Sequence, residues 1–92
     1  MNSLTTNLET VKQNFPLVEI TLEGNITFKD LINTIDYQYN IPYKLIKADV
    51  EYSGKNNYGN ILIHLQGETE INETAFQFFR KHKIKNIIKG YE

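Results

Sequence analysis

Two segments of this chain alternate between apolar and polar residues, and this alternation constrains the fold more than any other feature of the sequence. Residues 17–23 place Val18, Ile20 and Leu22 on one side, and residues 43–53 alternate in the same way. A period of two residues is typical of a β-strand with one face buried and the other in water. The sequence therefore predicts a sheet that is covered on one face only.

Between these two strands, apolar residues recur at helical spacing. This pattern predicts a first helix from about Phe28 to Tyr39. Thr27 precedes it and forms an approximate capping box with Asp30, and Asn40 is suited to the left-handed conformation that often ends a helix. The first helix thus separates the two alternating strands.

A second helix is predicted to begin at Glu68 or Thr69. Its first turns are acidic and its last turns are basic, which is the polarity that the helix dipole favours. The residues at helical spacing that are predicted to form its buried stripe are Ile71, Ala75, Phe78, Phe79 and His82.

Two further strands complete the pattern. Residues 53–57 have turn chemistry, so residues 58–66 are predicted to pair with residues 43–53 as a hairpin, and residues 84–89 form a closing strand. The order is strand, helix, strand, strand, helix, strand. This order predicts an α+β, ferredoxin-like βαββαβ sandwich, with a four-stranded antiparallel sheet and both helices on one face.

The uncovered face of such a sheet is where the domain would meet a ligand or a partner. The polar residues predicted on that face are Glu19, Thr21, Lys47, Asp49, Glu51 and His64. Tyr43 and Leu45 fall in the same register as Lys47, so they are predicted to be apolar exceptions on that face.

Length and composition exclude several classes of protein. A chain of 92 residues builds one hydrophobic core, and without cysteine it forms neither disulfides nor a thiolate metal site. Its apolar runs are far shorter than the roughly 20 residues that cross a bilayer, and its start has no signal-peptide pattern, so we expect a cytoplasmic location. Residues 1–14 are polar and are predicted to be an arm or linker before a domain at residues 15–92.

The residues that carry chemistry in other proteins are poorly represented. The two histidines, His64 and His82, have no nearby nucleophile or second metal ligand in the sequence. In the third strand, Asn60 and Ile63 stand where an RNA-recognition strand requires stacking aromatics. We therefore predict no catalytic residues, no metal site, no cofactor and no nucleic-acid partner.

Several short motifs, taken in order, resemble one known family. They are the strand ending at Gly24, the run Ile-Pro-Tyr-Lys-Leu-Ile-Lys-Ala-Asp-Val-Glu-Tyr-Ser-Gly at 41–54, Tyr58-Gly59, Gly67-Glu68, Phe79-Arg80 before the isoleucine-rich strand, and Gly90-Tyr91. Over residues 17–92, about four-fifths of its length, the chain resembles the NIL domain. This is the ferredoxin-like, ACT-like regulatory module at the C-terminus of the ATPase subunit of bacterial methionine ABC importers.

The resemblance implies a function and a set of partners. It implies a non-catalytic homodimer that binds L-methionine at the inner face of the cell membrane and restrains transport when internal methionine is plentiful. The implied partners are an upstream ATPase domain and the membrane subunit of the transporter. Binding would regulate transport if methionine had a different affinity for each arrangement of the dimer.

The resemblance also implies a ligand site at the start of the second strand. The expected ligand-binding residues are Tyr43, Lys44, Leu45 and Ile46. The family has an Asn-Ile-Leu run there, and this chain has Lys44-Leu45-Ile46, so an amide that donates and accepts is replaced by a positive charge that only donates. Two hypotheses follow: a methionine sensor, or a dimerisation and interaction module without retained amino-acid binding.

Overall fold

The computed structural model describes residues 15–92, and the predicted arm at residues 1–14 lies outside the described residues. The strands are β1 (Pro16–Glu23), β2 (Tyr43–Ser53), β3 (Asn56–Leu65) and β4 (Lys85–Tyr91). The helices are α1 (Phe28–Asn33), which continues into a π-helical turn (Thr34–Gln38), and α2 (Thr69–Lys81). The predicted order of strands and helices is therefore confirmed.

The four strands form one antiparallel sheet in the order β2-β3-β1-β4. This order and the two helices make the ferredoxin-like α+β fold that the sequence predicts. β1 and β3 lie in the centre of the sheet, and β2 and β4 are its outer strands. The sheet is longest along β2 and β3, which have 11 and 10 residues and are joined by a turn at Gly54 and Lys55.

The core lies between the sheet and the two helices. Alternate residues of β1 and β3 are buried with residues from α1, the π-helical turn and α2 in a single apolar cluster. The largest fully buried side chains of that cluster are Phe79, Ile20, Leu22, Leu31, Ile35, Ile41, Ile61, Ile63, Leu65 and Val18. The alternation that predicted a half-buried sheet thus predicted its buried face correctly.

The first helix changes its geometry before it ends. The Thr27 hydroxyl accepts a hydrogen bond from the backbone N–H of Asp30 at 3.0 Å, as expected for an N-cap. After Asn33 the chain widens into the π-helical turn rather than continuing as the predicted α-helix. Asn40 then adopts a positive φ of 55°, which confirms it as the left-handed residue after the helix.

The buried stripe of α2 differs from the prediction at two residues. Ile71 is 40% exposed and His82 is exposed, whereas Asn72 is buried. The Asn72 side chain accepts from the Gly67 N–H at 3.0 Å and donates to the Gly67 carbonyl at 2.9 Å. These two hydrogen bonds satisfy the buried amide and connect α2 to the turn before it. Helical spacing alone had predicted that Ile71, and not Asn72, would be buried.

Candidate functional site

A β-bulge in β2 determines where the predicted site residues lie. Leu45 is opposite Ile63 and Lys47 is opposite Leu62 on β3, so Ile46 is an extra residue between them. Directly opposed residues of antiparallel strands share a face. Because of this extra residue, the alternation of faces along β2 before Ile46 is out of step by one residue with the alternation after it.

This shift corrects the predicted faces of two residues. Tyr43 is opposite buried Leu65 and packs against the core, and Leu45 is opposite buried Ile63, so both lie on the helix side of the sheet. The prediction that Tyr43 and Leu45 lie on the uncovered face was wrong, because a period of two cannot reveal an inserted residue. Lys44, opposite His64, lies on the uncovered face instead.

The register confirms the rest of the predicted uncovered face. Lys47, Asp49 and Glu51 follow the bulge and are opposite Leu62, Asn60 and Tyr58 of β3, and β1 adds Glu19 and Thr21. Side-chain bonds cross the strands here: the Thr21 hydroxyl donates to Asn60 Oδ1 at 3.0 Å, and Lys89 Nζ lies 3.8 Å from Glu19 Oε1.

The predicted ligand-binding segment combines a charge with exposed apolar surface. Leu45 is 42% exposed and Ile46 is 47% exposed, although both belong to a strand of the sheet. Lys44 is exposed on the opposite face from Leu45, and Tyr43 is half-buried against the core. The four predicted residues are consecutive on the outer strand β2. The Lys44 ammonium group therefore lies near the aliphatic carbons of Leu45 and Ile46 in the sequence.

His64 lies beside this segment and has an unusual environment. It is the cross-strand neighbour of both Lys44 and Leu17, and its ring meets the Phe15 ring edge to face at a centroid distance of 5.8 Å. Its Nδ1 lies 3.4 Å from Gln66 Nε2, while its Nε2 is buried and has no hydrogen-bond partner among residues 15–92. A buried nitrogen without a partner is rare in folded proteins, which marks this end of the sheet as a place where polar groups are incompletely satisfied.

A cleft of about 720 Å³ opens at the same end of the sheet. It lies between the start of β1, the β3–α2 turn, one side of α2 and the end of β4. The residues that give it an apolar wall and a charged rim include Phe15, Phe76, Ile88, Tyr91, Glu73 and Arg80. At the rim, Arg80 Nη2 lies 3.1 Å from Glu73 Oε2, and both side chains are exposed.

The cleft was not predicted, because its walls come from four elements that are distant in sequence. The one local sign of the cleft in the sequence is Asn72, a polar residue next to the apolar positions of α2. Its side-chain amide bonds to Gly67 in the turn that lines the cleft. The cleft is linked to the β2 segment through Gln66, whose backbone N–H donates to the Pro42 carbonyl at 2.8 Å. The cleft and the β2 segment therefore share one end of the sheet.

Residues 15–92 contain neither a cluster of metal ligands nor a membrane-spanning helix. Over that range no three or more His, Asp or Glu side chains are grouped so that they could hold a metal ion. Neither described helix is long and apolar enough to cross a membrane.

Comparison with a solved structure supports the fold. The C-terminal domain of an ABC transporter ATP-binding protein from Enterococcus faecalis matches with a TM-score of 0.72, over 97% of this chain and 98% of that chain. The sequence identity is 21%, so this similarity establishes the architecture alone.

Comparison with curated sequences points to one group of proteins. The chain is 28% identical over 81 residues to the methionine import ATP-binding protein MetN of Vibrio vulnificus, and 29% identical over 83 residues to that of Photobacterium profundum. These matches cover 88% and 90% of this chain but 24% of each relative, so the chain spans about a quarter of their length. The family model of the NIL domain matches residues 16–86. The predicted resemblance is therefore confirmed, and this chain belongs to the NIL domain family.

Proposed function

We propose that this domain is the regulatory C-terminal part of the ATP-binding subunit of a methionine importer, where it binds L-methionine and inhibits import. Membership of the NIL family and the names of the matching relatives support this proposal. In this proposal the domain is not itself an enzyme. It works at the inner face of the cell membrane, as a homodimer attached to an ATPase domain and acting on a membrane subunit.

The observation that carries the proposal is the composition of the β2 segment at the bulge. An amino acid such as methionine has a carboxylate, an ammonium group and an unbranched apolar side chain. Lys44 offers a charge-assisted hydrogen bond to the carboxylate. Ile46, the extra residue of the bulge, offers exposed aliphatic surface to the thioether chain at the strand edge near Lys44, and Leu45 adds exposed apolar surface on the helix side of the same edge. The thioether chain gains free energy when it leaves water.

Inhibition then follows from linkage. A ligand shifts an equilibrium only by the difference between its affinities for the two states. If methionine binds one arrangement of the two domains more tightly, it favours that arrangement and the transporter state coupled to it. A factor of ten in affinity corresponds to about 1.4 kcal/mol at each site.

Calorimetric titration of the domain with L-methionine tests the sensor directly. We expect binding in the millimolar range or tighter, reduced about tenfold or more by Lys44→Ala because the carboxylate loses its charged donor. Lys55→Ala, in the β2–β3 turn, is the matched control and should leave binding unchanged. If wild-type protein gives no heat of binding at about 10 mM methionine, the sensor proposal is wrong.

One observation favours a second candidate, in which the domain is an interaction module that does not bind an amino acid. Lys44 replaces the family asparagine, and its charge repels the ammonium group of any amino acid that approaches it. In that case the domain would dimerise, but methionine would produce no heat in the titration and no change in dimer stability.

A further inference from the structure

The helix side of the sheet is not fully covered at the end of β4. Ile88 is opposite Val18 of β1, and Val18 is fully buried in the core, so both residues lie on the helix side. Ile88 is nevertheless 40% exposed, and Tyr91 at the end of the strand is 60% exposed. Both residues line the cleft. Within residues 15–92, the cleft therefore exposes part of the apolar side of the sheet.

Helix α2 adds a second apolar wall to the cleft. Phe76 lines it, and the Phe76 ring meets the Phe79 ring edge to face at a centroid distance of 5.9 Å. Phe79 is fully buried, so this wall is continuous with the core. The rim carries the exposed Glu73 carboxylate and Arg80 guanidinium. A segment that is apolar on one side and polar on the other would match both the walls and the rim.

We propose that residues 4–12 of this chain dock in the cleft of the same copy as a short amphipathic helix. Leu4, Leu8 and Val11 recur at helical spacing and would form one apolar side, facing the walls of the cleft. Lys12 follows Leu8 by four positions, so it would lie at the border of that side. The docked segment would be a third helix on the side of the sheet that α1 and α2 cover.

The connection along the chain favours this occupant over a separate molecule. Phe15 itself lines the cleft, and Lys12 precedes it by three residues. Three residues span at most about 11 Å, so Lys12 is held near the cleft in any backbone conformation. A short tether gives a segment an effective concentration in the millimolar range. A contact with a dissociation constant of about 1 mM is therefore enough to keep the segment docked much of the time.

The charges of the segment suit the rim. Glu73 faces Arg80 with its Oε2 atom, and its carboxylate can also accept a hydrogen bond from the Lys12 ammonium group. The segment carries one acid as well, Glu9, which complements Arg80. Both signs of charge on the rim thus have a counterpart within residues 4–12.

Docking would also fix the direction in which the chain leaves the domain. In the proposed importer subunit, residues 1–14 connect the domain to the upstream ATPase domain, and this consequence rests on the proposed function. A docked connection would transmit a movement of the regulatory domain to the ATPase domain with less slack than a free one. The docking itself does not depend on methionine or on the ATPase domain.

Trypsin, which cleaves after lysine, tests the docking from the side of the segment. Cleavage after Lys12 requires the segment to leave the cleft, so its rate follows the undocked population. In the full chain we expect Leu8→Ser to raise this rate about tenfold or more, because the central apolar contact is lost. Thr6→Ser, on the opposite side of the helix, is the control and should stay within about twofold of wild type.

A matched pair of variants on β4 tests the docking from the side of the cleft. Ile88→Asp should raise the rate of cleavage after Lys12 about tenfold or more, because it puts a charge on the apolar wall. Ile87 is opposite Glu19 on the uncovered face, so Ile87→Asp should leave the rate within about twofold of wild type. Tyr91→Ser, at the exposed end of the strand, should raise the rate even if Ile88→Asp unfolds the domain.

A single fluorophore locates the segment independently of proteolysis. The chain has no tryptophan, so Leu8→Trp and Thr6→Trp each introduce one. The emission of Leu8→Trp should lie at shorter wavelength than that of Thr6→Trp, because only the first indole leaves water. This difference should not change with protein concentration, since the segment docks in its own copy.

Three results would overturn the proposal. They are cleavage after Lys12 that is as fast in wild type as in Leu8→Ser, equal effects of Ile87→Asp and Ile88→Asp, and a blue shift of Leu8→Trp that is absent or appears only at high protein concentration. The last of these would assign the cleft to a second copy. Because none of these measurements uses methionine, a docked segment in a domain that gives no heat with methionine would contradict the sensor alone.

Discussion

The two outer strands belong to one sheet, yet their edges have opposite properties. β2 carries lysines in its first half, acidic residues in its second half and exposed apolar side chains at its bulge. β4 carries Lys85 and Lys89 and no acidic residue. Lysines on an edge strand discourage further strands from pairing with it. Because β2 carries acids as well as lysines, it lacks the shield of like charges that β4 has.

Exposed apolar area does not distinguish the two outer strands in the same way as charge. Ile87 on β4 is 55% exposed, more than Leu45 or Ile46 on β2. The lysines of β4 share their strand with no acidic residue, whereas the lysines of β2 share theirs with Asp49 and Glu51.

The largest effect is expected at Gly59, which lies opposite Val50 of β2 and has a positive φ of 141°. A Cβ atom at this position would overlap the Asp49 carbonyl oxygen, so the two strands would have to separate. We expect Gly59→Ala to destabilise the domain by about 2–3 kcal/mol, measured by urea denaturation, and to weaken the dimer as well.

The matched control for Gly59→Ala is Gly90, which lies on the outer strand β4. A Cβ atom at Gly90 meets no atom within 4 Å, so Gly90→Ala should change the free energy of unfolding by about 0.5 kcal/mol or less. Equal losses of stability in the two variants would show that β2 is not held against β3 by this close approach.

An intermediate effect is expected from a charge placed on exposed apolar surface. Leu45→Asp puts a carboxylate on the exposed apolar surface of β2, so we expect the dissociation constant of the proposed homodimer to rise about tenfold or more in sedimentation velocity if β2 lies at its interface. Ile87→Asp makes the same chemical change on β4 and should leave the dissociation constant within about twofold of wild type. A stronger effect at Ile87 would place the interface on β4.

The smallest effect is expected at Lys89, whose Nζ lies 3.8 Å from Glu19 Oε1 in an exposed pair. Surface ion pairs contribute little, so Lys89→Ala should lower the free energy of unfolding by about 0.5 kcal/mol or less in urea denaturation. Glu19→Gln should give a similar small loss. A loss above about 1 kcal/mol in either variant would mean that the lysines of β4 stabilise the domain as well as shield its edge.

Most of the fold could be predicted because its signals are local. The alternation of residues 17–23 fixes a half-buried strand, Thr27 marks the start of α1, and Asn40 marks the left-handed residue after it. The family could also be recognised from short motifs whose order and spacing were distinctive together.

The features that were missed depend on contacts between distant residues. The bulge at Ile46 leaves the sequence pattern unbroken but reverses the faces of Tyr43 and Leu45, and only the register against β3 reveals it. The burial of Asn72 depends on bonds to Gly67 across a turn, so helical spacing alone favoured Ile71. The cleft beside them is formed by elements that are brought together only in the folded domain.

The homodimer proposed for this domain has two outer strands available for contact, and the mixed charges of β2 favour it over β4. Backbone hydrogen exchange in dilute and concentrated wild-type protein measures both edges in one experiment, because alternate amides of an outer strand point away from the sheet and become bonded on pairing. We expect the amides around Ala48 to exchange more slowly in concentrated protein, while those of β4 around Ile87 exchange at unchanged rates. Slower exchange on β4, or unchanged rates on both strands in a protein that is dimeric, would contradict the account.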